Sequence, residues 1–425
     1  MLQKILEHVL GRVARAVVKK YRPKIIAITG SVGKTTTRAA CSAVVETRFR
    51  VRASAKNYNN ELGVPITILG CAAPGRSPLK WLGIFLKGAW LLFSNDGLYP
   101  QVLILEMGAD HPGDLAYLTS IAPPDIGVVT AVSAAHTEFF ESIEGVLAEK
   151  KIVVTSVRVG GAAIINMDDA QLEKIRGEIR VPIFSFGFGD GASVRGRDVT
   201  VRYDSTGAPD GMEAEVVVDG QEMTIAVARA LGRPVIYAAL AAIAVGRAME
   251  LSAADMQRGL ASFYPPAGRM RIVDGIKHTV LIDDTYNASP RAAREALDVL
   301  ATVHTDGRRI AVLGDMLELG ALTESAHREI GTCVADLKID VLVTVGATAR
   351  FIADAARASG MSDGAIFSFD TSVAAGAFIQ ERMHVGDLIL IKGSQGARCE
   401  KIVKEIMAEP LRAEELLVRQ DKTWV

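Results

Sequence analysis

Apolar and polar positions change their period several times along the chain, and those changes mark its elements. In residues 2–18, Leu2, Ile5, Leu6, Val9, Leu10, Val13, Val17 and Val18 recur at helical spacing with Lys4, Arg12, Arg15, Lys19 and Lys20 nearby, and Pro23 ends the pattern. This predicts an amphipathic helix within residues 1–23 that docks on a domain edge. Its basic character leaves contact with a membrane surface as a second, less favoured role. A short apolar run at 24–29 leads into Gly30-Ser-Val-Gly-Lys-Thr-Thr-Thr37 and then a helical pattern. Strand, glycine loop and helix in that order open an α/β domain. Further apolar runs at 102–106, 126–130, 162–166 and 182–186, several of them separated by helical stretches, predict a mostly parallel sheet.

Between residues 192 and 230 the texture becomes alternating, with glycine-containing turns, which predicts an antiparallel β meander. A helix-rich stretch at 235–263 follows, and Tyr264-Pro-Pro-Ala-Gly268 reads as a linker. Strand-like runs at 279–283, 309–313, 341–345, 366–369 and 388–391 then predict a second α/β unit. The expected organisation is a helix at 1–23, a central domain at 24–265 and a C-terminal domain at 266–425.

Composition narrows the function classes. The 425 residues are 49% hydrophobic and 23% charged, which excludes wholesale disorder, and a net charge of −1 gives no field that would steer the chain to nucleic acid. That balance hides a basic front: residues 1–24 hold seven Lys or Arg against the single acid Glu7. Four widely spaced cysteines exclude a disulfide scaffold or zinc ribbon and suit a reducing cytosol. Residues 1–24 lack a secretory cleavage pattern, and the most apolar stretch, 81–93, is about half a transmembrane span and contains Lys87. It reads as a buried or interfacial helix, and a cytoplasmic protein is expected.

The glycine loop carries the strongest chemical signal. Backbone N–H groups of Gly30, Ser31, Val32 and Gly33, with those of Lys34, Thr35 and Thr36 at the helix start, can cradle phosphates. Lys34 can reach the β/γ oxygens and Thr35 can hold Mg²⁺. The longer P-loop would place glycine where Ile28 stands, so the match is to the shorter form G-x-x-G-K-T. Glu106 ends an apolar strand, where a carboxylate can reach a metal beside the loop. Taken alone, His136 reads as structural, and Lys150 with Lys151 as a solvated charge pair.

The loop resembles that of the Mur ligase family of ATP-dependent amide-forming enzymes, and other stretches follow in family order. These are Asn57-Tyr-Asn-Asn-Glu-Leu-Gly63, Leu105-Glu-Met-Gly-Ala-Asp-His-Pro-Gly113, Ala135-His-Thr-Glu138, Asp283-Asp-Thr-Tyr-Asn-Ala-Ser-Pro290, Val312-Leu-Gly-Asp-Met-Leu-Glu-Leu-Gly320 and Lys392-Gly-Ser394. The last stretches are most similar to the branch that adds D-alanyl-D-alanine to a muramoyl-peptide. The resemblance implies a Rossmann-like C-terminal domain and activation of a carboxylate by ATP as an acyl phosphate. It also implies two Mg²⁺ ions, one at Thr35 and Glu106, the other at His136 and a carbamylated lysine. Alignment points to Lys150 for the carbamate and leaves Lys151 open. Asn166, Arg269, Asp284 and Asn287 match positions that contact ATP, and Asn57, Asn59, Asn60 and Lys392 match substrate-side positions.

Two departures stand out. Residues 232–242 lack the His and both Asn of the family's G-R-H-N-x-x-N stretch, and Gln395 replaces a basic residue after Lys-Gly-Ser. Only 29 residues precede Gly30, so the branch's usual UDP-binding N-terminal domain is not expected. Ligation of D-Ala-D-Ala to a muramoyl-peptide is therefore set beside the same chemistry on another carboxylate, and beside a nucleotide-binding partner protein without turnover. A monomer with no nucleic-acid partner is expected.

Overall fold

A computed structural model describes residues 2–54, 58–75, 77–133, 140 and 142–420. The chain forms two compact units, one of residues 1–199, 214–226 and 234–263, the other of 200–213, 227–233 and 264–425.

The first unit begins with α1 (Leu2–Tyr21), which buries Leu10, Ala14, Val17 and Val18 along one face. Those positions fall at i, i+4, i+7 and i+8, the stripe that an amphipathic helix turns toward a core. Next come β1 (Lys24–Thr29), α2 (Lys34–Val45), β2 (Val51–Ala53), α3 (Gly63–Leu69), α4 (Pro78–Phe93), β3 (Val102–Glu106), α5 (Asp114–Ile121) and β4 (Ile126–Val129). After them follow α6 (Ile143–Lys150), α7 (Ile152–Thr155), β5 (Ala162–Asn166), α8 (Ala170–Lys174) and β6 (Ile183–Gly187). The meander strands are β7 (Val194–Tyr203), β8 (Pro209–Val218) and β9 (Gln221–Ala228), of which residues 200–213 and 227–228 count with the second unit, and α9 (Arg233–Ala248) and α10 (Ala253–Ala261) complete the series. The strand order is β2-β3-β1-β4-β5-β6-β7-β8-β9.

Strand β1 is parallel to both its neighbours, and Ile25 to Ile28 are fully buried, as a strand covered on both faces requires. Its register sets Ile28 beside Glu106 and Thr29 beside Val129, so the carboxyl ends of β3, β1 and β4 meet at one edge. Helix α1 packs on α3, α4 and α5. It also closes the end of α4: Tyr21 donates its hydroxyl to Leu91 O and Ser94 O at 3.0 Å each, and Lys20 Nζ donates to Leu91 O at 2.9 Å and Leu92 O at 3.0 Å. The last carbonyls of a helix lack partners inside it, and a lysine there also meets the negative end of the dipole.

The second unit carries a six-stranded sheet in the order β10 (Arg271–Asp274), β11 (Val280–Asp284), β15 (Leu388–Lys392), β12 (Arg309–Gly314), β13 (Val341–Val345), β14 (Ile366–Phe369). β10 is antiparallel and the other pairs are parallel. This is the Rossmann-like arrangement expected from the resemblance. Leu281, Ile310, Val312, Ile389 and Ile391 anchor its core.

Two strands have no counterpart in the sequence reading. β2 and β10 are three and four residues long, too short for a period to register. The helical stretch 235–263 is two helices, because Ser252 Oγ accepts from Asp255 N–H at 3.1 Å and starts α10 afresh.

The packing of α1 yields a direct test. Leu10→Ala should lower the unfolding free energy by about 2–5 kcal/mol, whereas Lys19→Ala should stay within about 0.5 kcal/mol, both read from urea titration.

Candidate active site

The loop after β1 is pressed against the segment after β4. Gly30 has φ +148°, and a Cβ there would collide with Thr130 Oγ1. Ser31 N–H donates to Ala131 O at 2.8 Å, Ser133 N–H donates to Ser31 Oγ at 3.0 Å, and Thr130 Oγ1 donates to Val32 O at 2.5 Å. Gly33, at φ +82°, turns the chain into α2, whose first turn has no side-chain cap. Its leading N–H groups are the kind that bind phosphate oxygens. Lys34 Nζ donates to Gly30 O at 2.7 Å, folding the cation back over the loop.

Glu106 sits at the foot of this loop with 2% of its surface exposed. Its Oε1 accepts from Thr35 Oγ1 at 3.2 Å and from Asn59 Nδ2 at 3.4 Å, and its Oε2 accepts from Arg38 Nε at 3.3 Å. Its own N–H donates to Ser54 Oγ at 3.1 Å, and Arg38 also donates to Ser54 O. A hydroxyl and a carboxylate are hard oxygen donors, which suit Mg²⁺ shared with nucleotide phosphates. Among the described residues no group of three or more His, Cys, Asp or Glu forms a protein-only cage. Asn60 is turned elsewhere: its Oδ1 accepts from Gly63 N–H at 2.9 Å at the start of α3. Asn57 and His136 lie outside the described residues.

The two adjacent lysines differ sharply. Lys150, at the end of α6, is buried; burial first, and then the charge of Lys34, push its ammonium down to about 7, against the opposing pull of Glu149 and Asp110. Glu149 is itself occupied, accepting from Gly113 N–H at 2.8 Å and Leu115 N–H at 2.7 Å at the start of α5. Lys151 points the other way and pairs with Glu178 at 2.6 Å. Asn166 Nδ2 donates to Thr130 O at 3.1 Å, bracing the residue that holds the glycine loop.

In the departing stretch, Val235 and Ala238 are buried, and Pro234 lies in the first turn of α9. Tyr237 supplies a polar contact, donating to Asp168 Oδ2 at 2.8 Å, and Asp168 also accepts from Phe188 and Gly189 N–H at 2.7 and 2.9 Å.

The second unit gathers its own group of the predicted residues. Register places Asp284 beside Lys392, and Lys392 Nζ meets Asp284 Oδ2 at 2.5 Å and Asn287 O at 3.0 Å. The guanidinium of Arg269 lies 4.1 Å from the centre of the Tyr286 ring. Asp283 is fully buried, which pushes it up to about 6 although Thr285 and Gly268 donate to it. Ser394 Oγ accepts from Leu317 N–H at 2.9 Å and donates to Ala288 O at 3.3 Å, tying three of the sequence motifs together. Gln395 is exposed.

Arg38, Ser54, Thr130 and Tyr237 escaped the sequence reading. Only Arg38 had a usable signal, its i,i+3 spacing from Thr35 on the same helix face.

The sequence matches the Mur ligase middle domain over residues 92–246 and the Mur ligase glutamate ligase domain over 268–395. The UDP-N-acetylmuramoyl-tripeptide–D-alanyl-D-alanine ligase of Bacillus subtilis is 29% identical, over 95% of this chain and 80% of its own. The enzyme of that name from Mycobacterium tuberculosis is 31% identical, over 91% of this chain and 73% of its own. A MurF crystal structure from Acinetobacter baumannii aligns with a TM-score of 0.78 at 25% identity, covering 93% of this chain and 79% of that one. MurF from Thermotoga maritima in complex with ADP aligns at 0.76 and 24% identity, over 94% of this chain and 83% of that one, a likeness of fold. The chain belongs to the Mur ligase family.

The lowered pKa of Lys150 sets a pH signature. Below about 7 the folded state carries a buried cation and bears its full penalty. Between about 7 and the ordinary lysine value the folded protein has released a proton that the unfolded chain keeps, so stability rises with pH through that window. In bicarbonate-free buffer, Lys150→Met should raise the melting temperature more at pH 6 than at pH 9.5; equal gains would contradict the burial effect.

Proposed function

We propose that this chain is an ATP-dependent ligase that joins D-alanyl-D-alanine to a UDP-linked muramoyl-peptide in peptidoglycan synthesis. The observation that carries this reading is the buried Glu106 carboxylate bonded to Thr35 at the foot of the phosphate loop. Relatives named for that reaction supply the substrate pair.

In the first step a carboxylate oxygen of the peptide attacks the γ-phosphorus, the bond to the β,γ-bridging oxygen breaks, and ADP leaves. The amine of the dipeptide then attacks the acyl carbon, phosphate departs and the nitrogen gives up a proton. Charge accumulates on phosphoryl oxygens, so the chain's task is positioning and neutralisation. Loop N–H groups and the start of α2 orient the β- and γ-phosphates, and Lys34 shifts from Gly30 O to a phosphate oxygen. Thr35 and Glu106 would hold one Mg²⁺, and His136 with a carbamylated Lys150 a second, which when bound add to charge neutralisation.

The uncharged Lys150 amine, formed when the ammonium gives up its proton, is the form that reacts with CO₂: the nitrogen–carbon bond forms, a second proton leaves, and a neutral amine becomes an anion. Arg269, Asp284 and Asn287 serve the nucleotide, with Asp284 directed to the ribose. Lys392 braces Asp284 and Asn287 as well as facing substrate. The protein works as a cytoplasmic monomer.

ADP release should require both UDP-muramoyl-tripeptide and D-Ala-D-Ala, and Lys34→Ala should reduce turnover by about a hundredfold or more. ATP hydrolysis that neither acceptor stimulates would overturn the substrate assignment. With ¹³C-bicarbonate, NMR should show a carbamate resonance that Lys150→Met removes and Lys151→Met keeps.

A further inference from the structure

Helix α4 is apolar on nearly every side. Its sixteen residues, PLKWLGIFLKGAWLLF, include no acid and only two cations, Lys80 and Lys87. Ile84, Gly88 and Leu91 share one face and are buried in the unit's core, which accounts for a third of the circumference. The opposite face carries Leu79, Leu82, Leu86, Trp90 and Phe93, spaced at i, i+3, i+7, i+11 and i+14, and no polar side chain. All five are exposed, Leu79 to 80% and Phe93 to 91%. Leu98, just beyond the helix, is 80% exposed. Scattered apolar side chains on a surface need no explanation, but a continuous helical stripe does.

The surroundings say what covers it. α4 lies beside α1, so close that a Cβ on Gly88 would meet Val13. The exposed arc of α1 is basic, with Lys4, Arg12, Arg15, Lys19 and Lys20. Its only acid, Glu7, is half-buried and faces Glu61 and Tyr117. Along the flank of the stripe itself, Lys87 Nζ stands 3.9 Å from the centre of the Trp90 ring, while Lys80 is exposed. An apolar strip edged by lysine and tryptophan, on a helix packed against one whose exposed arc is basic, matches the interface of an anionic bilayer, where acyl chains take the apolar side chains and headgroups take the charges. No described helix is long and apolar enough to cross a membrane, and sixteen residues span about 24 Å against a hydrocarbon core of about 30 Å. The helix lies on the surface and does not pierce it.

We infer that α4 and the basic face of α1 form a docking surface for an anionic lipid bilayer. This surface is separate from the ligase reading and does not depend on its substrate.

The test is flotation of the full chain with vesicles of phosphatidylcholine alone or mixed with phosphatidylglycerol. Partition should favour the anionic vesicles by about tenfold or more and weaken as salt rises. Leu86→Glu with Phe93→Glu should reduce it by about tenfold or more. Arg12→Glu with Arg15→Glu and Lys19→Glu should remove the preference for anionic lipid. Every substituted side chain is exposed, so melting temperature and ADP release should match the parent. Absence of partition, or partition that the α4 variant leaves intact, would overturn the inference. So would a dimer in sedimentation that the α4 variant dissociates without any vesicle binding, since a second copy would then cover the stripe.

Discussion

A carboxylate with almost no access to water must be surrounded by donors, and the first unit is arranged around one. Glu106 is placed by the pairing of β3 with β1, and that pairing brings the glycine loop directly beside it. Thr35 and Arg38 come from the helix that follows the loop, Ser54 from the end of β2, and Asn59 from the segment before α3. Two separate pieces of chain thus converge on the two oxygens of Glu106, and a third takes its backbone N–H. A buried anion left short of partners is strongly destabilising, so these contacts also fix the sheet edge on which the glycine loop sits.

The second unit solves a related problem differently. Asp284 and Lys392 are neighbours in the parallel register of β11 and β15, so the ion pair needs no long-range accident of packing. Asp283, one residue earlier, faces into the protein and is held by Gly268 and Thr285. Alternation along a strand separates the two acids: one pairs with Lys392 and the other bonds the entry of the domain.

Much of this was legible in the sequence because its constraints are local. A phosphate loop needs glycine and lysine at fixed offsets, and the apolar runs of buried parallel strands stand out against charged helices. What escaped depends on rotation and length. Lys150 and Lys151 cannot be told apart by composition, since one step along a helix turns a side chain by about 100° and only the packing of α6 decides which faces inward. Ser54 reaches Glu106 only when β2, three residues long, is aligned beside β3. Tyr237 bonds Asp168 from a position where the family pattern specifies nothing. The stretch 81–93 was rightly read as a helix, buried or interfacial; its apolar pattern alone could not say which face would be left uncovered.

The closure of α4 by Lys20 and Tyr21 also orders events during synthesis. Helix α1 is made before α4, and the carbonyl of Leu91 that receives Lys20 is translated 71 residues after it. Until then the face bearing Leu10, Ala14, Val17 and Val18 has no core to enter, and a twenty-residue helix of mixed propensity is only marginal on its own. Helix α1 therefore stays without its partners until α3, α4 and α5 have been made, well after its own residues.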